Sequence, residues 1–168
     1  GETFVDNAII KALHASRFTD LPVVADDSGL CVEHLGGAPG VRSARHGGPG
    51  LDDRGRYELV LDQMRGVPSF LRGASYRAAI VLARHGRILS IHEGAMAGRL
   101  LEEPRGSGGF GYDPIFLIES LGKTMAEVSP QEKDSLSHRA RAVAGLAAAV
   151  AGGLASSLAG GPTDCNAS

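Results

Sequence analysis

The spacing of apolar residues changes along this chain, and that change limits the folds it can adopt. Residues 3–17 have apolar side chains at helical intervals, and Thr3 with Asp6 resembles the capping box that begins a helix. Residues 51–65 repeat the helical pattern behind Asp52, a residue type that caps helices. Residues 76–92 instead alternate on either side of a His-Gly turn, which predicts a β-hairpin. The sequence therefore predicts an α/β protein.

Shorter segments predict further strands. The apolar run at 22–25 predicts a buried strand that ends at Asp26 and Asp27. Extended structure resumes at 30–32, and the glycine-rich stretch at 36–40 predicts a turn. Additional strands are predicted at 94–100 and 114–118.

The C-terminal part divides into a helical region and a tail. Ser129 before Pro130 is typical of a helix start, and the helical pattern continues over residues 137–150. Residues 151–168 are small, glycine-rich and lack large apolar side chains, which predicts a flexible tail. We expect residues 1–150 to form one folded domain.

Composition excludes several classes of protein. The formal net charge is −2, so the chain lacks the bulk positive charge of a nucleic-acid binder, and we expect no stable nucleic-acid partner. Its longest apolar stretch is too short to span a bilayer, so we expect no membrane partner. The two cysteines form no disulfide or metal-binding pattern, which favours a reducing, cytoplasmic location.

The sequence Asp26-Asp27-Ser28-Gly29 is a candidate metal site. Side chains alternate in direction along a strand, so only one of the two carboxylates faces a given cleft. That carboxylate would be a hard-oxygen ligand suited to Mg²⁺. The same residue types are also common in solvated turns, so the residues alone leave both interpretations open.

A second candidate is the glycine-rich stretch 106–114, which contains Phe110 and Tyr112. An aromatic ring can stack on a planar base, and exposed backbone amides can contact the edge of that base. The stretch is not a Walker phosphate loop, because no Lys follows its last glycine. A mobile loop with a buried Phe is the alternative.

Basic residues surround the start of the last predicted helix. Lys133, His138 and Arg139 could form an anion site with free amides at that helix start, and the Arg fork suits a phosphate or a base carbonyl. Ordinary surface charge is the alternative for these residues.

Taken together, these segments resemble the Ham1, or inosine triphosphatase, family of purine nucleoside triphosphate pyrophosphatases. The matching segments, in the family's order, are 3–8 with Lys11 and Ala12, 25–30, 39–41 with 43–45, 108–116, 122–124 with Ala126 and Glu127, and 132–133 with 137–139. The similarity extends from Gly1 to about Val150.

The resemblance implies a two-lobed α/β fold of the Ham1/Maf type, with a long mixed β-sheet flanked by helices, and a homodimer. It also implies Mg²⁺-dependent hydrolysis of ITP, dITP and XTP to the monophosphate and pyrophosphate. In this family pattern Asp27 binds the metal and serves as general base. The implied substrate-binding residues are Ser28, Phe110, Gly111, Tyr112, Asp113, Lys133, His138 and Arg139, of which the last three read the 6-oxo purine and help to hold the nucleotide.

The chain also departs from the family pattern. Asp6, His46 and Asp134 stand where family members usually have Glu, Tyr, and Asn or Ser. Family members open with a strand, a phosphate loop and a second metal-site Glu, none of which precedes Gly1, so we expect a strand to be missing from inside the sheet. One alternative is therefore a chain that binds the purine nucleotide without turnover. Another is an unrelated α/β domain with structural glycine loops.

Overall fold

The computed structural model describes residues 1–154 and contains four α-helices and five strands within them. The α-helices are α1 (Phe4–Ala15), α2 (Asp53–Gln63), α3 (Pro130–Leu136) and α4 (His138–Ala149). The strands are β1 (Val23–Val32), β2 (Gly73–Arg84), β3 (Arg87–Leu100), β4 (Phe116–Ile118) and β5 (Lys123–Thr124). Short 3-10 helices lie at Glu33–Leu35, Gly40–Arg45, Ser69–Leu71 and Asp113–Ile115.

The strands form one five-stranded sheet in the order β1-β2-β3-β4-β5. The α/β class and the sheet flanked by helices are confirmed. Within residues 1–154 every neighbouring pair is antiparallel, so this sheet is not mixed as the resemblance implied. The reason is that β2 to β5 follow one another through turns and loops, without the crossover helix that a parallel pair requires.

Strand β1 runs without interruption through the acidic pair, so the predicted strand end at Asp26 and Asp27 is wrong. Along its whole length β1 pairs with β2, and because only alternate residues of β1 bond to β2, the Asp26 carbonyl accepts instead from Lys11 Nζ at 2.9 Å. Gly29 continues the strand because it admits a close neighbour: a Cβ there would lie 2.4 Å from Ser43 Oγ. The ladder overrides the turn preference of these residues, which excludes the solvated-turn interpretation.

The other local predictions are confirmed with shifted boundaries. Thr3 and Asp6 form the expected capping box at the start of α1, and Asp52 caps α2. The strand predicted at 94–100 is the second half of β3, which continues the hairpin. The strand predicted at 114–118 begins only at Phe116, because a 3-10 turn precedes it.

Helices cover opposite faces of the sheet. Helix α1 packs on residues 79, 81 and 83 of β2, whereas α4 packs on Ala78 and Ile80. Because successive residues of a strand point to opposite faces, this alternation places α1 and α4 on different sides. A larger core joins β1 to β4 with α2 and includes Leu30, Val32, Val60, Met64, Tyr76, Met96, Leu100, Tyr112, Ile115 and Phe116.

The region after α4 is described only in part. A π-helical turn at Val150–Leu154 follows the helix. The predicted flexible tail at 151–168 lies mainly on residues 155–168, which fall outside the described residues. Between residues 1 and 154 no helix has the length and apolar character needed to cross a membrane.

Gly94 lets α4 approach β3 closely, and a larger residue there should weaken the fold. A Cβ on Gly94 would lie 2.0 Å from the carbonyl oxygen of His138, so backbone would have to move. We expect Gly94→Ala to lower the free energy of unfolding by about 1–3 kcal/mol, the usual cost of overpacking. Urea unfolding measures this change.

Gly152→Ala is the matched control, because no atom lies within 4 Å of a Cβ built at that glycine. Its urea midpoint should remain that of the parent chain. An unchanged midpoint in Gly94→Ala would show that α4 does not depend on this contact.

Candidate active site

A cavity of about 170 Å³ lies at the edge of the sheet, between β1, β2, the start of α2 and the junction of α3 with α4. All the substrate-binding residues implied by the resemblance line it, namely Ser28, Phe110, Gly111, Tyr112, Asp113, Lys133, His138 and Arg139. Asp27, the implied catalytic residue, does not. The structure therefore brings together residues that lie far apart in the sequence. It also places Asp27 outside the cavity, although Asp27 is adjacent to Ser28 in the sequence.

Asp113 holds the centre of this cavity wall. Its side chain is buried, with 3% exposed, and its carboxylate accepts hydrogen bonds from Tyr76 Oη at 3.0 Å and the Phe110 amide at 2.9 Å. Lys133 Nζ forms an ion pair with the same carboxylate. One buried charge thus connects β2, the loop that carries Phe110 and helix α3, as a buried carboxylate requires.

Phe110 is 59% exposed, which is unusual for a residue with so large an apolar side chain. Lys133 Nζ lies 4.5 Å from the ring centroid and the Arg139 guanidinium carbon lies 5.6 Å from it. Both distances allow cation–π attraction, which orders the ring without covering it. The Phe110 ring is thereby available to stack on a planar ligand.

His138 and Tyr76 form a stacked pair in the floor of the cavity. Their ring centroids are 4.9 Å apart and the planes differ by 13°. Burial, aided by the positive charges of Arg139 and Lys133, lowers the pKa of His138 to about 4. His138 is therefore neutral at pH 7, and its buried Nδ1 has no hydrogen-bond partner within residues 1–154.

The other side of the loop is tied to α2 and to the segment after β1. The Gly111 amide donates to Asp53 Oδ2 at 2.8 Å, and Tyr112 Oη donates to the Ser43 carbonyl at 2.8 Å. Burial raises the pKa of Tyr112 to about 12, so its hydroxyl remains a donor. These bonds fix the cavity wall opposite Lys133.

Asp26 and Asp27 point to opposite faces of β1, as the alternation predicts. Asp26 Oδ2 accepts from Arg139 Nε at 3.2 Å, on the side of α4 and the cavity. Asp27 accepts from Asn7 Nδ2 at 3.0 Å and from Lys11 Nζ at 2.6 Å, on the side of α1. The strand therefore separates a base-sized cavity from a second polar cluster.

Asp27 is the candidate metal ligand in that second cluster. Its side chain is 17% exposed, so its carboxylate oxygens can be reached by a ligand. No group of three or more His, Cys, Asp or Glu side chains that could hold a metal occurs in the described part of the chain. Mg²⁺ is commonly held by one or two carboxylates together with phosphate oxygens and water, so this donor set fits Mg²⁺ brought with a phosphate ligand.

Several residues of the site carry no sequence signal of their own. Tyr76 reads as a core residue of an alternating strand, and Asp53 and Arg56 read as ordinary charges at a helix start. Lys11 and Asn7 belong to a matched segment, but only the packing of α1 on β1 shows that they face Asp27.

The neutral state of His138 predicts a pH dependence of stability. Its folded pKa of about 4 lies below the usual value of 6.5, so between these values the unfolded chain binds more protons. Stability should therefore fall as pH is lowered from 6.5 to 4, by about 3 kcal/mol at most. The free energy of unfolding of His138→Gln, measured by urea unfolding at each pH, should change less across this range.

His34→Gln is the control, since His34 is exposed and lies outside the cavity. Its free energy of unfolding should change with pH as that of the parent chain does. An equal pH dependence of the free energy of unfolding in the parent chain and in His138→Gln would contradict a buried, neutral His138.

Comparison with known proteins gives the family. The sequence matches the family model described as Ham1 family over residues 1–149. It is 47% identical over 146 residues to the dITP/XTP pyrophosphatase of Geobacillus kaustophilus, covering 87% of this chain and 72% of that protein. Identity to the dITP/XTP pyrophosphatase of Escherichia coli K12 is 46% over 145 residues, covering 85% and 74%.

Solved structures give the same result. A Ham1 protein from Coxiella burnetii superimposes with a TM-score of 0.85 at 43% identity, covering 90% of this chain and 78% of that chain. A nucleoside-triphosphatase, also described as a dITP/XTP pyrophosphatase, from Mycobacterium abscessus matches with a TM-score of 0.71 at 43% identity, covering 87% and 74%. Sequence and fold agree over nearly the whole described region, and the chain therefore belongs to the Ham1 family.

Proposed function

We propose that this chain hydrolyses dITP, XTP and ITP to the nucleoside monophosphate and pyrophosphate, and so removes deaminated purines from the nucleotide pool. The observation that carries the proposal is the two-sided arrangement around β1. The cavity on one side has an aromatic face and cationic donors, and Asp27 with Lys11 lies on the other side. The names of the related proteins support hydrolysis over the alternative of binding without turnover.

The cavity suits an oxopurine base. The base stacks on the exposed Phe110 ring, while Lys133 and Arg139 provide donors for a carbonyl oxygen. An adenine amino group in that place would leave these donors without an acceptor, which lowers affinity strongly in a buried site. Neutral His138 adds a ring nitrogen that can donate or accept a hydrogen bond without adding charge.

The opposite face of β1 suits the phosphates. Lys11 Nζ attracts phosphate oxygens, and the Asp27 carboxylate orients or deprotonates the attacking water. Mg²⁺ held by Asp27 would supply neutralisation of the negative charge that develops at the α-phosphate. A nucleotide whose base lies in the cavity crosses β1 at Ser28, the residue of the cavity lining that is adjacent to Asp27.

The proposal extends to a homodimer in the cytoplasm, as the family resemblance implies. Large apolar side chains on the surface support self-association, because Phe18, Leu21 and Phe70 are each at least 70% exposed.

Replacing the carboxylate on the phosphate side should abolish turnover. We expect Asp27→Asn to lower the rate of pyrophosphate release from dITP and XTP by about 100-fold or more, the usual effect of losing a general base. Chelation of Mg²⁺ by EDTA should stop release by the parent chain. A coupled pyrophosphate assay measures both effects.

Asp62→Asn is the matched control, since Asp62 is exposed on α2 and pairs with Arg65. Its rate should equal that of the parent chain. Full activity of Asp27→Asn would refute the role of this carboxylate. If the parent chain binds IMP but releases no pyrophosphate, binding without turnover is the correct function.

Removing the hydroxyl that holds Asp113 should weaken substrate binding. Tyr76→Phe keeps the rings stacked on His138 and Phe116 but loses the 3.0 Å bond to Asp113. We expect KM for dITP to rise several-fold and the free energy of unfolding to fall by about 1 kcal/mol. Steady-state kinetics and urea unfolding separate the two effects.

Tyr57→Phe tests for a general effect of losing a tyrosine hydroxyl, because Tyr57 lies on α2 and does not line the cavity. It should leave KM unchanged. An unchanged KM in Tyr76→Phe would mean that Asp113 keeps its position without this bond.

A further inference from the structure

Arg56 lines the base cavity but lies outside the segments that match the family motifs. It lies on α2, whose first turn is fixed by the Asp52 cap, and its side chain is 18% exposed. It lines the cavity beside Asp53 and Gly111. Lys133 and Arg139 reach the same cavity from α3 and α4, so cationic donors arrive from separate elements of the fold.

The Arg56 guanidinium has a donor that the described residues leave unused. Its Nε is buried and has no hydrogen-bond partner within residues 1–154. Its Nη1 lies 3.6 Å from Asp53 Oδ1, beyond ordinary hydrogen-bond distance, while the other Asp53 oxygen accepts from Gly111. A buried N–H without an acceptor is unfavourable, so this position favours a ligand that brings an acceptor.

No residue within 1–154 accepts a hydrogen bond from Arg56 Nε, and two acceptors of the cavity wall already have other donors. Asp113 accepts from Tyr76, Phe110 and Lys133, and the Ser43 carbonyl accepts from Tyr112. An acceptor for Arg56 must therefore come with the ligand. Under the proposed function, that ligand is an oxopurine, and its carbonyl oxygens are acceptors in the plane of the base.

Xanthine and hypoxanthine differ in the number of these acceptors. Both carry a carbonyl at C6, and only xanthine carries a second carbonyl at C2. Lys133 and Arg139 can donate to the C6 carbonyl. The C2 carbonyl of xanthine is then an acceptor for a donor on another element, and Arg56 on α2 is such a donor. We propose that Arg56 donates to the C2 carbonyl oxygen of xanthine and makes this enzyme prefer XTP to dITP and ITP; this inference rests on the proposed function.

The preference follows from the unpaired donor. A xanthine base brings a C2 oxygen to the Arg56 guanidinium, whereas a hypoxanthine base presents a C–H at position 2 and brings no acceptor for that group. Sites built around such a hydrogen bond discriminate strongly against the ligand that lacks the acceptor. Arg56 is thus a specificity-determining residue, and it needs no change in the residues that hold the phosphates.

The test compares substrates within each variant. Arg56→Met removes every donor while keeping a long side chain against Asp53 and Tyr112. We expect kcat/KM for XTP to fall about tenfold or more and that for dITP to change little, so the ratio of the two collapses. The binding constants of XMP and IMP, measured by calorimetry, should show the same selective loss without any turnover.

Arg56→Lys is the second variant, because it retains a cation near Asp53 and removes the Nε donor. It should lose part of the XTP preference, measured as a lower ratio of kcat/KM for XTP to kcat/KM for dITP. Arg54→Ala is the matched control: Arg54 lies on the same helix, is 75% exposed, pairs with Glu58 and does not line the cavity. Its substrate ratio should equal that of the parent chain.

The outcomes separate this inference from the proposed function. A parent chain that hydrolyses neither XTP nor dITP refutes the proposed function. A parent chain that hydrolyses both, with the same XTP-to-dITP ratio in Arg56→Met, refutes the role of Arg56 alone. An equal loss for both substrates would likewise refute it, because that result assigns Arg56 only to holding Asp53 and the Gly111 loop.

Discussion

The candidate site depends on one buried carboxylate, that of Asp113. It holds the Phe110 amide, the Tyr76 hydroxyl and the Lys133 ammonium, which come from a loop, a strand and a helix. A charge so deeply buried is stable only when such partners surround it, so it is also the group that forces them together. The exposed Phe110 ring and the cations beside it follow from this arrangement.

The second constraint is the alternation of side chains along β1. It sends Ser28 and Asp26 to the side of α4 and Asp27 to the side of α1, where Lys11 meets it. The base cavity and the acidic group therefore lie on different faces of one strand. Each face carries both charges, since Lys11 pairs with Asp27 on one face and Arg139 pairs with Asp26 on the other.

The local features of the fold could be predicted from the sequence. The contacts between residues that are distant in the sequence could not. Helical spacing and the Thr3–Asp6 box predicted α1, and the substrate-binding residues implied by the resemblance line one cavity. The strand end predicted at Asp26 is wrong because pairing with β2 outweighs local turn preference. Tyr76 and Arg56 were missed because a buried tyrosine on a strand and an arginine on a helix have no distinctive pattern. Their roles arise only from contacts with residues distant in the sequence.

The most direct test of a site divided by β1 is a crystal structure of the chain with XMP and Mg²⁺ bound. We expect the base to stack on Phe110 inside the cavity and the phosphate to lie beside Asp27 and Lys11. A base bound outside the cavity would contradict this arrangement. So would a phosphate on the α4 side of the strand, away from Asp27.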